Sequence, residues 1–89
     1  MTTQRIIDVI KEEVAAEKIY MVQRGWETTK NMLDTAAFNP DWFAAQCEVL
    51  YDMAVRLDGA TDEQDEEVKA LRREIVRTCE DKTGHDLRA

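Results

Sequence analysis

Chain breakers are scarce: 89 residues contain one proline and three glycines. That scarcity excludes a loop-rich fold and predicts long helices with short connections. Histidine occurs once, as His85, so no histidine cluster can ligate a metal or relay protons. The two cysteines, Cys47 and Cys79, form no CxxC pair. Both fall at apolar positions of expected helices and are read as reduced core thiols. No glycine-rich phosphate loop occurs, and no Ser, Thr or Cys has a histidine placed as its base. No stretch approaches the roughly 20 apolar residues of a membrane span. The start, MTTQRIIDVIKEE, lacks the apolar run of a signal peptide. These absences predict a cytoplasmic protein with no membrane contact, no cofactor and no metal.

What is present suits one small globular domain spanning residues 1–89. Hydrophobic residues make up 44% and charged residues 35%, too rich in apolar side chains for a disordered tail. The formal net charge is −7. Phosphate backbones would repel such a chain, which argues against direct nucleic-acid binding. A partner with a basic surface is favoured.

Three helices are expected, in an all-α antiparallel bundle. The first covers about residues 3–37, with Ile7, Ile10, Val14, Met21, Val22, Trp26, Leu33 and Ala36 at helical spacing. Gly25 lies inside it; a break there would give four helices. The second covers about 40–58. Asn39 is its N-cap, Pro40 its first residue, and Phe38 and Phe43 form a hydrophobic staple. Its core face is Phe43, Cys47, Leu50, Tyr51, Ala54 and Leu57, and Gly59 is expected to close it in a left-handed conformation. The third covers about 62–82. Thr61 and Gln64 form a capping box, Asp62 to Glu67 favour its dipole, and Val68, Leu71, Ile75, Val76 and Cys79 form its apolar stripe. Gly84 ends it, and residues 85–89 are expected to fray. A continuous first helix would reach about 50 Å, well beyond its shorter neighbours. Its uncovered apolar end makes a homodimer or another partner plausible.

Sites of chemistry are weak. As a calcium loop starting at Asp58, the acidic run would put Glu63 where glycine is needed and Lys69 where the bidentate glutamate is needed. The turn at Gly59 resembles that of a helix-turn-helix, but its recognition helix would start with carboxylates facing phosphates. Glu12, Glu13 and Glu17 faintly resemble the glutamate cluster of helical nucleotide pyrophosphohydrolases, but a second helix would have to supply a matching cluster, and the other candidates, Glu63, Glu66 and Glu67, lie in a helix-starting turn; a solvated face accounts for both groups. The three-helix outline is similar to that of small all-α chorismate mutases, which would require Arg5, Arg24 and Lys30 to converge on a pocket; their spacing does not follow that family. Lys11 and Lys18, seven apart, either lie over apolar neighbours or divide two packing seams. Trp42, Val49 and Met53 form a second apolar stripe beside the core face of the second helix.

The sequence therefore predicts a non-enzymatic protein–protein interaction protein. Its expected partner-binding residues are Trp42, Val49, Met53, Asp58, Asp62, Glu63 and Glu66. Its expected action is inhibition or modulation, as small phage and mobile-element proteins exert on host enzymes or defence complexes. Two alternatives stand beside it: an acidic DNA mimic that blocks a nucleic-acid channel, and a small all-α enzyme with a magnesium-dependent or polar pocket.

Overall fold

The computed structural model of the chain describes residues 2–35 and 38–88. Among them are three α-helices and no strand: α1 (Thr3–Lys30), α2 (Pro40–Val55) and α3 (Asp62–Thr83). A 3-10 turn, Asn31–Asp34, follows α1. The molecule is elongated, 54 × 25 × 16 Å.

α1 starts where Thr2 accepts a hydrogen bond from the Arg5 amide. It runs unbroken through Gly25. A Cβ at Gly25 would stand 3.1 Å from Cδ2 of Leu50. Glycine is therefore placed there by the close approach of α1 and α2, and the helix does not need it to bend. α1 stops at Lys30, short of the expected residue 37. The hydroxyls of Thr28 and Thr29 bond back to the carbonyls of Arg24 and Gly25, a competition that weakens continuation of a helix. The 3-10 turn still brings Leu33 against the core. Ala36, expected on the apolar face of this helix, and Ala37 lie outside the described residues.

α2 begins as expected. Asn39 Oδ1 accepts from the amides of Asp41 and Trp42, and Phe38 meets Phe43 edge-on at 5.6 Å. Its end differs. α2 closes at Val55, and Gly59 does not adopt a left-handed conformation, which among the glycines only Gly84 shows. The carbonyls at the end of α2 are instead satisfied by Arg72 of α3. Its guanidinium donates to the carbonyls of Ala54, Val55 and Leu57. Gly59 is required for space, because a Cβ there would lie 2.6 Å from the Asp65 amide nitrogen.

α3 is pinned at its start. Thr61 accepts from the Gln64 amide, and Gln64 Oε1 accepts from Ala60. Gln64 Nε2 donates to the carbonyl of Glu12 on α1. At the other end Gly84 takes φ 76° and residues 85–88 turn back toward the bundle, while Ala89, the last residue of the tail expected to fray, lies outside the described residues. Leu87 packs against the core, where an apolar side chain gains more than it would in water.

The core combines Val22 and Trp26 of α1, Phe43, Cys47, Leu50 and Ala54 of α2, and Leu71, Ile75 and Cys79 of α3. The apolar arc expected on α1 divides. Val22 and Trp26 are buried, together with Ala15 and Ile19, but Ile7, Ile10, Val14 and Met21 are exposed. At 100° per residue, Lys11 and Lys18 stand between these two sets, so they divide two seams, and α2 and α3 fill only one of them.

Candidate functional site

α2 has an inward face of Phe43, Cys47, Leu50 and Ala54. Trp42, Val49 and Met53 stand on one line about 100° away, since residues 7 and 11 apart return to the same side of a helix. They are 41%, 56% and 44% exposed. Tyr51 occupies the opposite flank, where it borders Arg72, Val76 and Arg77 of α3. The stripe therefore faces away from α3. Gly25 against Leu50 fixes the level of the antiparallel α1, so Met21, 61% exposed, stands at the height of Met53. The result is an apolar surface along the outer side of α2, with Met21 at its α1 border.

The carboxylates expected to rim this stripe are elsewhere. Asp62 and Glu66 lie half a turn from the buried Gln64, Val68 and Leu71 of α3 and so face away from the bundle. Glu63 is exposed on the flank of α3 that borders α1. Asp58 lines a groove of about 380 Å³ between α1 and the α2–α3 connection, with Ile10, Val14, Lys11, Lys18 and Arg56 among its neighbours. The three apolar residues thus form one surface, while the four carboxylates are dispersed around the other end.

The groups considered for chemistry do not converge. Lys30 pairs with Glu27 at 2.9 Å and Glu74 at 3.1 Å. The Glu27 hydrogen bond holds its pKa above the usual lysine value, against an opposing effect of burial. Arg24 donates to the Tyr20 hydroxyl, and Arg5 is exposed near the start of α1. Among the described residues no cluster of three or more His, Cys, Asp or Glu could hold a metal ion. Cys47 and Cys79 are free and fully buried. Burial, reinforced by Cys79, pushes the Cys47 thiol up to about 12, far from the range of a reactive thiolate.

Two features of the surface were not read as sites from the sequence. One is the exposure of Ile6 and Val9 beside Ile7 and Ile10. The other is the grouping of Lys11, Lys18 and Arg56 along one groove. The seven-residue recurrence of Ile7, Val14 and Met21 was the available signal for the first. The second depends on a tertiary contact. No described protein family, curated protein or solved structure matches this chain.

Proposed function

We propose that this protein is a non-enzymatic binding protein that acts by covering a surface on another protein. The observation that carries this reading is the stripe Trp42, Val49 and Met53, three large apolar side chains in line and 41–56% exposed on a helix whose core face is already filled. Tryptophan and methionine are enriched at interfaces, and a few such residues supply most of the binding energy. The acidic chain, at net charge −7, favours a partner with basic surroundings, to which it would be steered at low salt. Inhibition or modulation of a larger enzyme or complex is the mode of action that suits so small a chain.

Trp42→Ala and Met53→Ala are each expected to weaken partner binding by more than about 1 kcal/mol, with little change in Tm. The measurement is titration calorimetry on a partner captured by the tagged wild-type chain, alongside thermal melts of each variant. Retained binding would remove the stripe from the interface. A large loss of stability would place these residues in the core and overturn the reading.

A further inference from the structure

The uncovered seam of α1 meets the α2 stripe at Met21 and carries its own charge pattern. Ile6, Ile7, Ile10 and Val14 are between 39% and 54% exposed. Gln64 meets the carbonyl of Glu12, so the turns before residue 12 project past the start of α3. A helix end rich in branched side chains gains little from propensity. An apolar patch on the order of several hundred Å² is the scale at which surfaces mark interfaces.

Ile7, Val14 and Met21 recur every seven residues, with Ile10 three after Ile7. These are the a and d positions of a heptad. In that register Lys11 and Lys18 flank the seam on one side at e, and Glu13 flanks it on the other at g. Among the described residues none of the three belongs to an ion pair. An antiparallel pair of such helices would bring like flanks together, lysine against lysine. A parallel pair instead brings Glu13 against Lys18 of the second helix, twice by symmetry.

We propose that a second copy of this chain occupies the α1 seam, with the two α1 helices parallel. Ile7, Ile10 and Val14 face their counterparts, and Glu13 of each copy pairs with Lys18 of the other. The Lys18 flank borders the groove lined by Arg56, Leu57 and Ala60, which leaves room for side chains of the second helix. Glu17, at the next d position, brings two carboxylates together and confines close packing to the N-terminal layers. Trp42, Val49 and Met53 of α2 lie outside these N-terminal layers, so this dimer does not depend on the function proposed above.

Sedimentation equilibrium of the full chain tests the proposal. Twice the chain mass of 10.3 kDa is expected, with Ile10→Lys monomeric at unchanged helical circular dichroism. Lys18→Glu and Glu13→Lys should each weaken the dimer about tenfold, and combining them should restore it, because the pair is only reversed. Glu17→Leu should tighten it. A monomer at every concentration, a trimer, or a dimer indifferent to Ile10→Lys overturns the proposal. So does a double charge reversal as weak as the single ones. A monomeric chain whose Ile10→Lys variant loses a different protein partner would assign the seam to that partner and equally overturn it. Unfolding of Ile10→Lys would show that this 54% exposed residue supports the monomer itself, against the premise.

Discussion

Cys47 and Cys79 meet in the core, one from α2 and one from α3, and neither has measurable exposure. A thiolate there would lack water and would lie beside a second sulfur, so Cys47 keeps its proton in the folded chain up to about 12, against 9.0 when free. Below 9.0 both states hold the proton, and the stability conferred by the buried neutral thiol is complete. As pH rises through this window the unfolded chain releases the proton first, and the contribution is lost. Lys30 acts in the same direction, because its raised pKa also favours the protonated folded state. Urea unfolding of the wild type and of Cys47→Val on either side of this window should show their stability difference moving in favour of the variant as pH increases. A difference independent of pH would mean that the thiol is not held neutral by burial.

At the scale of elements, local signals were legible in the sequence and tertiary substitutions for them were not. The Asn39 cap, the Phe38–Phe43 staple, the Thr61–Gln64 start and the Gly84 end each need only a few adjacent residues, and each is found. The end of α2 needs Arg72, 16 residues beyond the Arg56 cap, and no local pattern announces that partner. Gly59 was therefore read as a cap when its role is to admit the Asp65 backbone. The same limit applied to α1: its periodicity showed a broad apolar arc, but only packing divides the arc into a filled and an open seam. For the candidate site, the Trp42–Met53 line was legible because it repeats on one helix. The separation of Asp62 and Glu66 from it was not, since it depends on how α3 is rotated. Arg72→Ala should cost about 2 kcal/mol in urea unfolding, the scale of hydrogen bonds made by a charged donor. Arg72→Lys should recover only part of it, because an ammonium lacks the planar fork that spans several carbonyls. A loss near zero would mean that water caps α2 equally well.

For the whole molecule, stability should be graded along the 54 Å axis. All three helices contribute to the middle, where Trp26, Phe43 and Ile75 are almost fully buried. The first turns of α1 have exposed side chains and lie beyond the Gln64–Glu12 tie. Hydrogen exchange of the Ile10→Lys variant should therefore be fastest within residues 4–11 of α1 and slowest around Phe43–Leu50 and Leu71–Cys79. Uniform protection would show that the whole of α1 unfolds only with the core. No helix among the described residues is long and apolar enough to cross a membrane.

The chain holds only two tryptophans, and the fold treats them oppositely. Trp26 is 1% exposed with its indole nitrogen buried and unpartnered, whereas Trp42 is 41% exposed on the outer stripe. The protein thus carries two built-in optical probes. A soluble quencher will reach Trp42 first and spare Trp26 until the core opens. Docking on α2 and loss of the fold can therefore be followed separately by emission from one unlabelled sample.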